Sequence, residues 1–311
     1  MSEEDKRAAA VAVLPPTEHR LAASANLDLM PSLEVLQLLN SQDRIAVEAV
    51  QAVLPELAEL VDIAAERFRS GGNIHYFGAG TSGRLAVLDA AELLPTFNLP
   101  NGRVVAHIAG GERAFVQAVE NAEDSIQEGS LAADTLGEHD VAIGFAASGN
   151  TPYVGGALTR ARELGAVTAL VSSNPGARLE PLADIHICVD TGAEVLTGST
   201  RLKAATAEKL VLNGFSTALM VAVGRTWSNL MVSLVATNDK LRLRTLRILS
   251  EATGLDQEAA EVLLSEANGD LKTAIVMSLA SVECDEAGAA LQQGKSSVRA
   301  ALEVLQSPAT N

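Results

Sequence analysis

Apolar and polar positions change rhythm along this chain. From Leu33 to Arg69 the residues Val35, Leu38, Leu39, Ile45, Val47, Val50 and Val53 recur at helix-like spacing, and Gly71-Gly72 break the pattern. Short continuous apolar runs follow at Ile74–Phe77, Val104–Ile108, Val141–Phe145, Val167–Val171 and Ile185–Val189. Between them the spacing predicts helices near 82–94, 112–128, 152–164 and, more weakly, 176–182. Strands buried on both faces read as unbroken apolar runs. Strand and helix in alternation imply parallel pairing with right-handed crossovers. The predicted fold is α/β, a doubly wound and mainly parallel five-stranded sheet. After it, Thr206–Val223 predicts one long apolar helix, and 226–250 continue helical with a basic cluster of Lys240, Arg242, Arg244 and Arg247. Gly254 and Gly269 punctuate short helices at Asp256–Ala267, Asp270–Ala280, Asp285–Gln292 and Ser297–Leu305, with Asp256 and Asp270 at capping positions.

These patterns divide the chain. Residues 1–62 hold a loose arm (1–25, with Pro15-Pro16) and helices, 63–228 the α/β domain, and 229–311 a helical region. Within the last, about 252–307 form a small subdomain that resembles the ubiquitin-associated three-helix type. A length of 311 residues suits one large domain or two smaller ones. Aromatic residues are 3%, so the core must rest on Ala, Val and Leu.

Charge narrows the function. The 23 Lys and Arg stand against 39 Asp and Glu, a net charge of -16, which argues against non-specific nucleic-acid binding. A local nest of backbone amides can still hold a small anion on an acidic protein. Cys188 and Cys284 lie far apart with no metal spacing, which points to a reducing, cytoplasmic setting. The apolar run Ala8–Leu14 is too short to span a membrane and follows charges of both signs, so no signal peptide is predicted. The five histidines show no ligand spacing, and no metal is proposed.

Three polar segments stand where strands end. The first strand runs into Gly78-Ala79-Gly80-Thr81-Ser82-Gly83-Arg84, and the third into Ala146-Ala147-Ser148-Gly149-Asn150-Thr151-Pro152. Each is a strand, a small-residue turn, hydroxyls, then a helix. Such helix starts offer free N–H groups and partial positive charge to a phosphate. Ordinary helix capping is the competing explanation. The first segment fits GxGxxG, but the second strand ends in His107-Ile108-Ala109-Gly110-Gly111 with no acidic residue for a dinucleotide ribose. A small phosphorylated ligand fits better. Glu194 through Lys203 concentrate one carboxylate, the hydroxyls of Thr197, Ser199 and Thr200, and two cations in ten residues. Glu92 shares a helical face with Leu85 and Leu88, where desolvation would raise its pKa and suit a proton donor. Pattern alone favours a solvated position for both Glu92 and Glu123.

Together these segments resemble the sugar isomerase domain, a family of phosphosugar-binding α/β domains. Within it the similarity is to the N-acetylmuramic acid 6-phosphate etherases of bacteria. It rests on Phe77–Leu85, Ala109-Gly110-Gly111-Glu112, Ala122-Glu123-Asp124, Ala146–Val154 and Thr197-Gly198-Ser199-Thr200-Arg201. It extends through Lys209-Leu210-Val211-Leu212-Asn213, Asn229-Leu230-Met231-Val232 and Thr237-Asn238. The resemblance implies a cofactor-free homodimer that removes the D-lactyl ether of the sugar phosphate. It implies Glu92 and Glu123 as the acid–base pair. The substrate-binding set drawn from the loops and the resemblance is Thr81, Ser82, Ser148, Gly149, Asn150, Thr151, Glu194, Ser199, Thr200 and Lys203. The chain departs from the family at Ala91 and Leu93-Leu94, at Asn150 where Arg is common, and at Leu202 and Ala205.

Two other functions compete. One is a phosphosugar-responsive regulator similar to the glucokinase regulatory protein. The other is an aldose–ketose isomerase, because Glu194 with Ser199 and Thr200 resembles the catalytic loop of the isomerase domain of glucosamine-6-phosphate synthase.

Overall fold

The computed structural model describes residues 14–233 and 239–307, with the side chains of Asp239 and Lys240 left out. The Thr237-Asn238 segment and the first thirteen residues of the expected arm lie outside them. The first helical pattern resolves into α1 (Ser32–Ala52) and α2 (Leu54–Arg69). They part where Pro55 enters the first turn of α2, a position at which its missing N–H costs nothing. Helix α2 buries Leu57, Leu60, Val61 and Phe68, whereas α1 buries Ala46 and Val50 and exposes Leu33, Leu36 and Val47.

Strands β1 (Ile74–Gly78), β2 (Val104–Ile108), β3 (Val141–Phe145), β4 (Val167–Ser172) and β5 (Ile185–Cys188) form one parallel sheet. Its order is β2-β1-β3-β4-β5, with Tyr76 of β1 in register with Ala106 and Ile143. Strands β1 and β3 are buried along their whole length, which is why they read as continuous apolar runs. Chain connections leave β1 and β3 in opposite directions. The crevice outside their carboxyl ends is therefore the place where such sheets take ligands. Helices α3 (Gly80–Phe97), α4 (Ile126–Ala132), α5 (Pro152–Glu163) and α6 (Lys203–Ala222) complete this region.

Three expectations are corrected in the sheet region and the arm. The helix predicted over 112–128 is two 3-10 turns, Glu112–Phe115 and Ala122–Asp124, and α4 begins at Ile126. Gly111 at φ 65° and Asn121 at φ 60° break the helical backbone, and Ser125 starts α4 afresh by accepting from the Glu128 N–H. The weak helix near 176–182 shrinks to one 3-10 turn, Glu180–Leu182. The arm is docked from Pro16 onward through short 3-10 turns; Thr17 is buried and its carbonyl accepts from Gly198 N at 3.0 Å.

By contact the chain forms two compact units. One runs up to Asp89 and takes in Val104–Phe215; its core includes Phe77, Ala142, Val154, Leu158 and Leu170. The other joins Ala90–Arg103 to the described residues from Ser216 onward. There 226–250 are not continuously helical: Trp227 and Leu230 pair across a turn, and α7 spans Asp239–Thr253. Ser228 at φ 51° sets the turn. Helices α8 (Gln257–Glu266), α9 (Leu271–Ala280), α10 (Cys284–Gln293) and α11 (Val298–Gln306) follow. Asp256 and Asp270 cap α8 and α9 by accepting from Ala259 N and Thr273 N, as their positions predict. Leu249, Ile275, Val276, Ala290 and Val298 lie at the centre of this unit.

Candidate active site

The sequence brings the first turn of α3 hard against β1. A Cβ on Gly83 would stand 2.6 Å from Ile108 Cγ1 and 2.8 Å from the Gly78 carbonyl oxygen, so only glycine permits the approach. The free N–H groups of α3 consequently open at the β1–β3 crevice. Thr81 is half-buried there and Ser82 is buried. The Ser82 hydroxyl donates to Glu208 Oε2 at 2.7 Å.

The loop after β3 is braced from one side. Gly149 sits at φ +66°, and a Cβ there would lie 2.3 Å from Ala177 Cβ. Asn174 Nδ2 donates to the Ser148 carbonyl at 2.8 Å, and Leu179 N donates to the Gly149 carbonyl at 3.1 Å. Asn150 turns its Oδ1 to Arg178 N at 2.9 Å, so this side chain anchors the 174–179 segment. The Ser148 hydroxyl accepts from Asn150 N at 3.2 Å, which leaves its proton to donate elsewhere. Thr151 stands at the amino end of α5 without capping it through its side chain.

Glu194 is fully buried. Its oxygens accept from Lys203 N at 3.2 Å and Ala204 N at 3.0 Å, capping α6. Burial raises its pKa, against the pull of those two backbone bonds. Lys203 is buried beside it and donates to Gln42 Oε1 at 2.9 Å; burial lowers its pKa. Ser199 and Thr200 are half-buried on the same loop.

Glu123 is exposed on the 3-10 turn Ala122–Asp124. With Ala79, Gly80, Arg84, Ala109 and Glu120 it lines a cavity of 220 Å³, so two carboxylates and the start of α3 share a hollow. Arg84 ties them together: its Nε donates to the Phe115 carbonyl at 3.3 Å and its Nη2 to the Gln117 carbonyl at 3.1 Å. Arg84 belongs to the first loop motif, yet its positioning role is not legible there. Glu92 is exposed on α3, as are Leu88 and Pro95 on the same face. The desolvation expected of Glu92 is therefore not met within one chain.

Two features escape sequence reading. Glu208, inside an apolar helix, is buried, and burial pushes its pKa up to about 7 against the Ser82 hydrogen bond. His75 Nδ1 and His107 Nε2 lie 3.0 Å apart on adjacent strands, with His107 stacked on Phe77. Burial, then His75, takes the His107 pKa down to about 4. Among the described residues no group of three His, Cys, Asp or Glu side chains is set to hold a metal.

The family model for the glucokinase regulatory protein N-terminal SIS domain matches residues 56–162. An N-acetylmuramic acid 6-phosphate etherase of Thermobifida fusca is 54% identical over 261 residues, 84% of this chain and 86% of that protein. One from an Exiguobacterium species is 49% identical over 288 residues, 92% of this chain and 98% of its own length. A solved phosphoheptose isomerase of Francisella tularensis aligns with a TM-score of 0.50 and 20% identity over 61% of this chain and 98% of its own, a likeness of fold. With about half of its residues shared along nearly all of its length, the chain belongs to the N-acetylmuramic acid 6-phosphate etherases.

Proposed function

We propose that the β1–β3 crevice holds the substrate phosphate and that Glu92 and Glu123 perform the acid–base chemistry. The enzyme is a carbon–oxygen lyase that cleaves the D-lactyl ether of N-acetylmuramic acid 6-phosphate, giving N-acetylglucosamine 6-phosphate and D-lactate. The observation that carries the site is the pairing of two hydroxyl-bearing helix starts, at Ser82 and Ser148, on neighbouring strands, with Glu123 in the hollow that reaches Gly80.

The chemistry follows from the substrate. In the open-chain sugar the aldehyde acidifies the carbon 2 proton, and the ether at carbon 3 is β to it. A base removes the proton and an acid protonates the departing lactate oxygen. Water then adds at carbon 3 of the unsaturated aldehyde and carbon 2 regains a proton. Each carboxyl switches role between the steps. In the first step Glu123 takes the carbon 2 proton and Glu92 gives a proton to the lactate oxygen; in the second Glu92 takes a proton from the water adding at carbon 3 and Glu123 returns one to carbon 2. Neither step transfers electrons to an acceptor, so no redox cofactor enters. Thr81, Ser82, Ser148, Gly149 and Thr151 bind the phosphate. Glu194, Asn150 and Lys203 hold the loops, with Ser199 and Thr200 facing the sugar. A sugar phosphate does not cross membranes unaided, which fits work in the cytoplasm. Among the described residues no helix is long and apolar enough to cross a membrane.

The working form is a homodimer with shared sites. Ser82 and Glu92 are ten residues apart on one helix, roughly 15 Å along its axis at 1.5 Å per residue. That is long for one hexose phosphate. Exposed Leu88 and the exposed apolar residues Leu33, Leu36 and Val47 of α1 offer surface for a second copy. Glu92 then serves a phosphate bound by the partner. Ser148→Ala alone weakens substrate binding about tenfold or more, the value of a hydrogen bond to a charged group. Mixing Ser148→Ala with Glu92→Gln under random subunit exchange restores about a quarter of the sites, one intact site in half of the dimers. Mixed dimers without recovered lactate release would return Glu92 to its own chain.

A further inference from the structure

Glu208 has no part in the reaction as written, yet it lies directly beneath the phosphate loop. Its Oε2 accepts from the Ser82 hydroxyl at 2.7 Å, while its Oε1 is buried with no hydrogen-bond partner among the described residues. A serine hydroxyl has one proton to give. While Glu208 is ionised that proton is spent on the carboxylate, and Ser82 shows only lone pairs to an arriving phosphate. Turning the hydroxyl toward the phosphate would strand a buried carboxylate with neither oxygen satisfied. If Glu208 is protonated the direction reverses: the carboxylic acid donates to Ser82 Oγ, and the serine proton is released for the anion.

We propose that Glu208 is a positioning residue whose protonated form makes Ser82 a phosphate donor, so that phosphosugar binding takes up one proton from solvent. This rests on the reading that Ser82 meets the phosphate. One solvent proton joins the Glu208 carboxylate, and no other bond changes. The setting suits the role, because burial raises the carboxyl to about 7, within reach of neutral solution. The surrounding elements carry charged and titratable groups, among them Asp43 on α1, His75 and Tyr76 on β1, Arg84, Asp89 and Glu92 on α3, and Lys203 and Lys209 on α6. Burial and the Ser82 bond, rather than a neighbouring charge, set the Glu208 proton affinity.

The test is calorimetric titration of the full-length enzyme with N-acetylglucosamine 6-phosphate in buffers of different ionisation enthalpy. Working between pH 7 and 9 keeps the ligand above its own second ionisation, near 6. The wild type takes up close to one proton at pH 8, and its affinity falls about tenfold per pH unit above 8, as the competent fraction falls. Glu208→Gln carries an amide that donates to Ser82 at every pH, so both the uptake and the slope disappear while binding persists. Ser82→Ala separates the two readings. If it binds as tightly as wild type, Ser82 does not meet the phosphate and the underlying site reading fails. If it binds weakly but Glu208→Gln keeps the wild-type slope, the inference about Glu208 alone is overturned. Absence of proton uptake by the wild type also overturns it, without reliance on any variant.

Discussion

Glu92→Gln and Glu123→Gln each lower lactate release by about 10²–10⁴-fold, the span that general acid or base catalysis contributes. Binding of the product phosphosugar stays near the wild-type level in both, because neither side chain is assigned to the phosphate. The two variants differ in what survives. Glu92→Gln cannot protonate lactate, but Glu123 remains to draw the carbon 2 proton, so exchange of that proton with solvent deuterium continues. Glu123→Gln loses exchange and cleavage together. Lactate assays and proton NMR in deuterium oxide read both effects. Full lactate release in both variants would remove this pair from the mechanism.

Glu194→Ala has the largest expected effect on the fold. Glu194 is fully buried and satisfies two backbone N–H groups at the amino end of α6. Each buried donor left without an acceptor costs about 1–3 kcal/mol. The pair therefore costs on the order of 4 kcal/mol. At roughly 2–4 °C per kcal/mol for a domain of this size, the melting temperature falls by about 8–16 °C. Glu194→Gln keeps an acceptor oxygen and recovers part of the loss. The same loop carries Ser199 and Thr200, so activity falls with stability. A melting curve unchanged by Glu194→Ala would show that α6 does not depend on this cap.

The sheet is legible in the sequence because burial on both faces leaves β1 and β3 no room for polar residues. Continuous apolar runs follow directly. The two glycine-rich loops after β1 and β3 are legible for a similar reason: close backbone approach demands Gly83 and Gly149, and hydroxyls beside them stand out. Other parts depend on where distant segments meet. Glu208 follows Ala207 in an apolar helix and reads as an ordinary solvated carboxylate until Ser82, 126 residues earlier in the chain, is found against it. His75 and His107 show no ligand spacing, yet sheet pairing stacks their rings. The helical periodicity over 112–128 is real as a pattern, but it yields to the left-handed backbone at Asn121. Exposure of Glu92 beside Leu88 is also invisible in a linear pattern, since an apolar face does not say what covers it.

Isotope tracing tests the elimination and hydration most directly. Wild-type enzyme is incubated with N-acetylmuramic acid 6-phosphate in deuterium oxide, and separately in water enriched in oxygen-18. Elimination followed by hydration places one deuterium at carbon 2 of the N-acetylglucosamine 6-phosphate. It places oxygen-18 at carbon 3 of that sugar and none in the hydroxyl of lactate. Oxygen-18 in the lactate hydroxyl, with no deuterium at carbon 2, would mean that water attacks the lactyl carbon directly and would contradict the mechanism.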